Sequence, residues 1–199
     1  DTTLYAHYRL PRQLIVFDAN GGEGEMPADL YIESNVQMTL PKNQFVREGY
    51  DFVKWSTSKT SSYATSYADE AKIKTSVSSY QDGKKFYLYA IWEKNIFGYA
   101  LDAVEAALGD NIIRKPVNLP VGGNNGGKTY VISYNADGNK YFDGTNKITL
   151  PEYKNESMKL TVTITSGEET FTKTYDLILL SPDGVKDEEV LAKAYELLK

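Results

Sequence analysis

The chain has 199 residues, a formal net charge of -5 and a hydrophobic fraction of 41%. These values are typical of an ordinary globular chain with one large or two small domains, and they argue against disordered and fibrous proteins. Because the charge balance is acidic, there is no cationic surface for a polyphosphate backbone, and we expect no nucleic-acid partner. The chain contains no cysteine, which excludes disulfides, thiolate metal sites and cysteine nucleophiles. We expect no membrane insertion, because no stretch approaches the roughly 20 apolar residues that a membrane helix needs.

The first predicted unit, residues 12–94, is rich in short strands. The apolar residues 14–17 predict a strand, and residues 20–22, Asn-Gly-Gly, predict a tight turn because they adopt positive φ at low steric cost. Further strands are predicted at residues 52–55 and 86–92. In the last of these, both sets of alternating residues are largely apolar, which predicts that both faces of the strand are buried.

These strands carry the residues by which the unit resembles a known family, the Listeria-Bacteroides repeat, also called the internalin B-repeat. The resemblance covers nearly the whole unit and lies in residues 16–22, Met26-Pro27, Leu40-Pro41 with Phe45, 47–55, 67–69 and 88–92. It implies a small β-grasp-like fold, tandem repetition on secreted or wall-attached bacterial proteins, and no catalytic residues. Two places depart from the family pattern. Lys54 stands where glycine usually precedes the tryptophan, and residues 78–85 look like an inserted hairpin tip.

The second predicted unit begins with a helix that ends at Gly109, a residue type typical of helix ends. An apolar stripe at helical spacing precedes this glycine. The stripe consists of Phe97, Leu101, Val104 and Leu108.

Further along this unit, apolar residues alternate with threonine over residues 160–165. A turn at 166–169 follows, which predicts a half-buried antiparallel hairpin. Shorter strands are predicted at 130–134 and 147–150. So many short strands separated by turns predict a β-sandwich.

The second unit resembles the atrophied bacterial immunoglobulin-like domain. The matching stretches are the helix over residues 99–108, Leu119-Pro120, the strand over 130–135, the apolar-proline step at 148–151, and the hairpin over 159–180. The resemblance implies an immunoglobulin-like β-sandwich with a leading helix. Such domains serve as spacers or accessory modules in secreted bacterial proteins, often beside carbohydrate-active or adhesive regions. The middle strand lacks the tryptophan that the family usually carries, so we expect a tyrosine to fill that core position.

Both ends of the chain echo its interior. Leu4–Tyr8 resembles Leu88–Trp92, and the apolar spacing of residues 190–198 repeats that of residues 100–108. Such self-similarity is typical of a tandem array.

We therefore predict a mainly β protein with short helices, divided into four parts. These are the tail of a preceding repeat (1–11), the β-grasp-like repeat (12–94), the immunoglobulin-like domain (95–181), and a linker with the start of a following immunoglobulin-like repeat (182–199).

The segment Gly122–Thr129 fits the letter pattern of a phosphate-binding loop. Such a loop needs a buried strand before it and a helix after it, so that backbone amides and the helix dipole meet at the phosphate. Prolines precede this segment and a strand pattern follows it. We therefore expect a flexible surface loop, and neither nucleotide binding nor another cofactor.

Other candidate chemical groups have ordinary interpretations. His7 is the only histidine and lies in a terminal strand pattern, which disfavours hydrolase triads and two-histidine metal sites. Asp137, Asn139 and Asp143 could offer oxygen ligands to calcium, but their spacing fails the EF-hand pattern at the required glycine. We therefore interpret them as ordinary turn residues and not as a calcium site. Four further carboxylates could form an acid/base pair, but nothing in their positions indicates a shared cleft; they are Glu23, Glu25, Asp69 and Glu70. We expect no catalytic residue and no metal site.

Tyrosine is abundant, with 16 residues. A tyrosine ring has an apolar face and a polar tip, which suits sugar stacking and protein binding. Exposed tyrosines around Tyr63, Tyr67, Tyr80 and Tyr141 are therefore a candidate patch, although scattered surface residues remain the alternative.

The sequence leads us to expect a non-catalytic spacer in a cell-surface or secreted protein of a Gram-positive bacterium, serving adhesion or display. The alternative is an accessory carbohydrate-binding module of an extracellular hydrolase. The partners in either case would be a host or cell-wall protein or a glycan.

Overall fold

A computed structural model describes residues 9–182. In this range the chain is mainly β-sheet with one α-helix, which confirms the predicted fold class. The chain divides into two compact units between Glu93 and Lys94. The predicted repeat fragments at Leu4–Tyr8 and 190–198, together with His7, lie outside the described residues.

The strands of the first unit are β1 Arg12–Asp18, β2 Tyr31–Glu33, β3 Met38–Thr39, β4 Tyr50–Ser56, β5 Ser66–Tyr67, β6 Lys72–Ile73 and β7 Lys85–Lys94. Five of them form a mixed sheet with the order β2-β1-β7-β4-β5. Strands β1 and β2 pair antiparallel, whereas β1 and β7 pair parallel over Leu14–Asp18 and Lys85–Tyr89. The first and last strands therefore lie side by side within the sheet, as in a β-grasp.

The core of the first unit surrounds Trp55, which is fully buried. Its ring lies 4.8 Å from that of Phe17, 5.0 Å from that of Phe52 and 6.1 Å from that of Phe45. Edge-on and tilted aromatic pairs of this kind each add about 0.5–1.5 kcal/mol beyond the burial of their area. The Trp55 Nε1–H is buried without a hydrogen-bond partner in the part of the chain that the structure describes, so packing stabilises this position.

The prediction that both faces of the last strand are buried is wrong. In β7, Leu88 and Ala90 are fully buried on one face, but Tyr87 on the other face is 40% exposed and Tyr89 is only partly covered. No second layer of the described chain covers that face completely. The large apolar residues of the outer face made it look like a core strand in the sequence.

The predicted hairpin tip at residues 78–85 is also wrong. Ser79–Gln81 form a single 3₁₀ turn, and β7 begins at Lys85. The Asp82 carboxylate accepts hydrogen bonds from both guanidinium nitrogens of Arg9 at 2.7 Å and from the Arg12 amide at 2.9 Å. The Arg9 guanidinium holds the pKa of Asp82 below its usual value. This segment therefore ties the start of β1 to the turn that precedes β7.

The second unit begins with helix α1, Ile96–Leu108. The Asn95 side chain caps the helix by accepting hydrogen bonds from the amides of Phe97 and Gly98, both at 3.1 Å. The helix ends before Gly109, which has φ 65°, a conformation that glycine adopts at low cost. Three of the four predicted stripe residues are fully or nearly fully buried, which confirms the amphipathic helix.

The strands of the second unit are β8 Ile112–Ile113, β9 Val117–Asn118, β10 Gly122–Asn125, β11 Lys128–Asn135, β12 Lys147–Ile148, β13 Glu156–Ser166 and β14 Glu169–Leu179. Five of them form the main sheet of this unit, with the order β10-β11-β13-β14-β8. Helix α1 packs on β10, β11 and β13, and the two-stranded ribbon of β9 and β12 contributes Ile148 to the same core. The layer that faces the sheet is thus a helix and a ribbon.

The predicted threonine-rich hairpin is present, with β13 and β14 paired from Glu156↔Leu179 to Ser166↔Glu169. Leu160, Val162 and Ile164 are buried, as their alternation with threonine predicts. Tyr134 packs against this core and donates a hydrogen bond from its hydroxyl to the Pro120 carbonyl. Burial raises the pKa of Tyr134. A tyrosine therefore packs into the core from the strand that lacks tryptophan.

Candidate functional site

The glycine-rich segment with the letters of a phosphate-binding loop is a β-hairpin, so the prediction of a flexible loop is wrong. Gly122–Asn125 form strand β10, which pairs with β11 from Lys128 onward. Gly126 and Gly127, with φ 56° and 79°, make the two-residue turn. A strand, and not a helix, follows the turn, so no helix dipole meets the backbone amides there.

The glycines of this hairpin also make room for Tyr130. A Cβ added to Gly123 would lie 2.5 Å from the Tyr130 hydroxyl and 2.7 Å from Cζ of the same ring. The ring of a cross-strand partner therefore covers the glycine backbone. Packing explains the glycine at this position without a ligand.

The predicted turn residues at Asp137, Asn139 and Asp143 are found in turns. Asn139 accepts a hydrogen bond from the Tyr141 amide, and Asp143 accepts from the amides of Thr145, Asn146 and Lys147 at 2.8–3.0 Å. These amides lower the pKa of Asp143 to about 2, with the Lys147 amide the largest cause. The carboxylate therefore organises its own loop. Within residues 9–182 no three acidic or histidine side chains group closely enough to hold a metal ion.

The four carboxylates considered as an acid/base pair have separate surroundings. Asp69 accepts a hydrogen bond from the Asn43 amide at 2.8 Å, and Glu70 has a left-handed backbone with φ 55°. Glu23 forms a backbone bridge with Val46, while Glu25 lines a groove beside β1. Turn geometry explains the positions of Asp69 and Glu70.

The candidate tyrosine patch is only partly exposed. Tyr63 is 98% exposed and Tyr80 is 80% exposed. In contrast, Tyr67 packs against the core of the first unit and Tyr141 against the core of the second. Burial raises the pKa of Tyr67. The prediction that all four are surface residues is therefore wrong for Tyr67 and Tyr141.

A different set of tyrosines lies on the sheet of the first unit. We call this surface the outer face, and it comprises Leu14, Val16, Tyr31, Tyr87 and Tyr89. The strand register puts Leu14 beside Tyr31 and Val16 beside Tyr87.

Cationic side chains border this outer face. Arg12 lies over the ring of Tyr31 at 4.0 Å, and Lys59 lies 5.1 Å from the ring centre of Tyr89 while pairing with Asp18 at 3.0 Å. The rings of Tyr87 and Tyr89 are nearly parallel, with centres 6.0 Å apart. The outer face is thus a half-exposed aromatic surface with a charged border. The sequence missed it because its residues have the composition of a core strand.

The central pairing of β1 and β7 fixes where the chain enters and leaves the first unit. Because the two strands are parallel, the chain enters β1 at one end of the strand pair and leaves β7 at the opposite end. From the register and the usual rise per strand residue, Arg12 and Lys94 lie about 35 Å apart along the strands. The fully stretched chain between them would reach about 280 Å.

The first unit matches the model of a known protein family. Residues 14–81 match the model of the Listeria-Bacteroides repeat domain, a family typical of extracellular or surface proteins. The match runs from β1 to the 3₁₀ turn, which supports the family resemblance of the first unit. The immunoglobulin-like assignment of the second unit remains a prediction. No curated protein matches the chain, and no helix within residues 9–182 is long and apolar enough to cross a membrane.

Proposed function

Because residues 14–81 match a repeat domain of extracellular type, we propose that this chain is a non-catalytic spacer in a bacterial surface or secreted multidomain protein. Its role is to hold a neighbouring functional region away from the cell, in adhesion or display. We place it in a Gram-positive bacterium on the family resemblance alone.

The observation that carries this proposal is the parallel pairing of β1 with β7. A force applied to the two ends of the first unit acts along both strands in opposite directions. The hydrogen bonds between Leu14–Asp18 and Lys85–Tyr89 are evenly spaced along a parallel pair, so they share the load and do not break one after another. Such a unit keeps its length under tension, which is what a spacer requires.

The contacts of Asp82 support the same role. By binding Arg9 and the Arg12 amide, this carboxylate fastens the start of β1 where tension enters the unit. The second unit also has a parallel pair near its end, but β8 and β14 pair over only two residues, Ile112-Ile113 and Ile178-Leu179. Helix α1 precedes β8 and carries the load first. We expect the second unit to yield at a lower force than the first.

The test is to stretch the whole chain between its ends in an optical trap. We expect two separate extensions, and the one at higher force belongs to the first unit. That assignment is made with the double substitution Val16→Cys and Tyr87→Cys, whose Cα atoms are level in the register. The chain has no cysteine of its own, so oxidation forms only this crosslink.

When the crosslink is oxidised, the high-force extension should shorten to a small remnant, and reduction should restore it. A single extension at low force, or a first unit weaker than the second, would contradict the proposal.

A carbohydrate-binding role is a second candidate, and the outer face is the observation that favours it. Half-exposed Tyr31 and Tyr87 offer ring surface beside Arg12, a combination that suits a sugar. A glycan array would test it with the Tyr31→Ala and Tyr87→Ala variants beside Tyr63→Ala, which changes an exposed tyrosine of the 57–65 loop. Selective binding lost only in the first two would favour the module over the spacer.

A further inference from the structure

The longest open strand edge within residues 9–182 belongs to β14 in the second unit. On one side, β14 pairs with β13 along its whole length. On the other side, β8 pairs only with Ile178 and Leu179. The stretch Glu169–Leu177 therefore has no strand neighbour on that side.

The backbone groups of three threonines point to this open edge. The Ile178 amide donates to the Asn111 carbonyl on the β8 side at 3.0 Å. Backbone groups alternate between the two edges of a strand, so the N–H and C=O of Thr170, Thr172 and Thr174 point to the same side as those of Ile178. Strand β8 does not reach them, and their amides donate to no other group in the part of the chain that the structure describes. All three threonines are exposed.

A half-exposed aromatic pair lies beside this edge, on the face of the sheet that carries helix α1. The rings of Phe171 in β14 and Phe97 in α1 have centres 5.9 Å apart, and both residues are only partly buried. Phe97 is the one residue of the predicted apolar stripe that is not buried. The helix itself packs on β10, β11 and β13, so it leaves the open edge of β14 accessible. Apolar ring surface is therefore available to a strand that pairs with this edge.

The charges of this stretch are arranged symmetrically. Proteins often protect an exposed strand edge with proline, a bulge or charged side chains, but β14 has no proline and its register with β13 has no bulge. Its charged residues Glu169 and Lys173 have opposite signs and lie two positions on either side of Phe171. The Lys173 Nζ lies 3.0 Å from Glu105 Oε1, which keeps it on the helix face. A strand with this pattern is complementary to a second copy of itself that runs in the opposite direction.

Two antiparallel registers of β14 with itself are disfavoured by charge. If Thr172 lay opposite itself, Glu168 of one copy would lie opposite Asp176 of the other. If Lys173 lay opposite itself, two ammonium groups would meet directly across the strands. Like charges at directly opposite positions destabilise a strand pair.

A third register satisfies both the backbone and the charges. With Phe171 opposite itself, Glu169 of each copy lies opposite Lys173 of the other, and Thr170 lies opposite Thr172. The threonines are the residues whose backbone groups point outward, so these pairs can exchange hydrogen bonds. The second strand then ends before it reaches β8.

We propose that two copies of this chain pair through β14, antiparallel and about a two-fold axis at Phe171, so that their five-stranded sheets join. Thr170 of each copy exchanges backbone hydrogen bonds with Thr172 of the other. The two Phe171 rings meet on the helix face and bury the ring surface that they share with Phe97. The contact is the same patch on both copies, as a two-fold interface requires. It goes beyond the spacer role, because a spacer needs no contact with a second copy.

The direction of the strands gives the pairing a possible place on a surface. The chain enters the second unit at Phe97, beside Phe171, and leaves β14 at Leu179, about 27 Å further along the strand. Two paired copies therefore run in opposite directions, which suits copies on two facing surfaces. This step rests on the proposed surface role. The interface is small, so we expect a dissociation constant on the order of 100 μM for one pair, and many pairs would act together between surfaces.

The first test measures self-association of the full chain. In sedimentation velocity, we expect monomer at about 10 μM and mostly dimer at about 1 mM. NMR spectra over the same range should show concentration-dependent shifts of the Thr170 and Thr172 amides. A chain that stays monomeric at about 1 mM, or shifts that centre on Tyr87 and Tyr89 of the outer face, would overturn the proposal.

One substitution removes a hydrogen-bond donor from the interface. Thr172→Pro lacks the N–H that the second copy needs, and proline is tolerated on an edge strand where the N–H faces solvent. It should weaken dimerisation at least about tenfold. The matched control Thr172→Val keeps the N–H and should leave the dissociation constant unchanged. The amide signals of β13 should be the same in both variants, which shows that the sheet is intact. Equal dimerisation of the proline variant would overturn the proposal.

A crosslink tests the register independently of stability. Glu169→Cys and Lys173→Cys are prepared as separate proteins, and the chain has no other cysteine. Oxidation of their mixture should give a disulfide-linked dimer with one chain of each kind, because residues 169 and 173 lie opposite each other only across two copies. Each variant alone should crosslink little. Equal crosslinking of each variant with itself would overturn the register.

Beads that carry the chain by its C-terminal end test the surface step. Beads with the unchanged chain should aggregate, and beads with Thr172→Pro should not. Dimerisation in solution without bead aggregation would support the interface and refute its place between facing surfaces, so the two failures are distinguishable.

Discussion

Gly22 is a position where one added methyl group should destabilise the first unit. A Cβ at residue 22 would lie 2.7 Å from Cζ2 of Trp92 and 2.9 Å from the carbonyl oxygen of Val46. The Val46 oxygen belongs to the two-bond bridge with Glu23 and cannot withdraw freely. Trp92 is held by the hydrogen bond from its Nε1 to the Ala19 carbonyl at 2.8 Å and by contact with the ring of Phe52.

The magnitude for Gly22→Ala follows from three effects. Overpacking costs about 1–3 kcal/mol, and loosening the Trp92 hydrogen bond costs about 0.5–1.5 kcal/mol. The lower entropy of the unfolded alanine chain returns about 0.4–1 kcal/mol. We expect a net loss of about 2 kcal/mol in the free energy of unfolding.

Urea unfolding followed by tryptophan fluorescence measures this effect in the first unit alone, because the chain has 2 tryptophans and both lie there. With a urea dependence of about 1 kcal/mol per molar, the midpoint should fall by about 2 M. The control is Gly83→Ala, since nothing lies within 4 Å of an added Cβ and only the strain of φ 74° applies.

Combining each change with Trp92→Phe separates steric conflict from backbone strain. The smaller ring should relieve part of the cost at Gly22, which gives a coupling of at least about 0.5 kcal/mol, and none at Gly83. An unfolding midpoint unchanged by Gly22→Ala, or the absence of coupling with Trp92, would refute this reasoning.

Two other predictions concern the second unit. The lowered pKa of Asp143 means that its contribution to stability is present above about pH 4 and is lost as the pH falls toward 2. NMR titration should find the midpoint of Asp143 near 2, and Asp143→Asn should reduce the loss of stability at acid pH. An ordinary aspartate midpoint would contradict the role of the three loop amides. Asn95→Ala should lower the free energy of unfolding by about 1 kcal/mol through loss of the helix cap, as measured by circular dichroism in urea. Asn95→Asp should retain most of that stability, because aspartate also caps helices. Equal losses in both variants would exclude the capping role.

Local patterns in the sequence were enough to predict many of the elements. The Asn-Gly-Gly turn at residues 20–22 was predictable because Asn20 and Gly21 need positive φ. Helix α1 was predictable because its apolar stripe ends at Gly109, and the β13–β14 hairpin because threonine alternates with apolar residues around Val162.

Features that depend on tertiary structure were not predictable. The exposure of Tyr87 depends on which face of the sheet is covered. The alternation of Tyr87 with Leu88 does not reveal this, because it is the same whichever face is covered. The hairpin that includes Gly122–Asn125 depends on the packing of the Tyr130 ring over Gly123. The periodicity of apolar residues does not reveal such a cross-strand contact.

The most direct test of the spacer account compares two directions of pulling on the first unit of the full chain. In one variant, cysteines replace Leu10 and Glu93, so that handles pull at opposite ends of the β1–β7 pair. In the other they replace Leu10 and Lys84, so that both handles pull at the same end, next to the level pair Leu14↔Lys85. The two variants load the same strands and release similar lengths of chain.

The account predicts that pulling at opposite ends requires at least about twofold more force, because the hydrogen bonds of the parallel pair then share the load and do not open in sequence. Equal unfolding forces in the two directions would contradict the spacer account. The β1–β7 pair would then resist tension along the chain no better than tension in another direction.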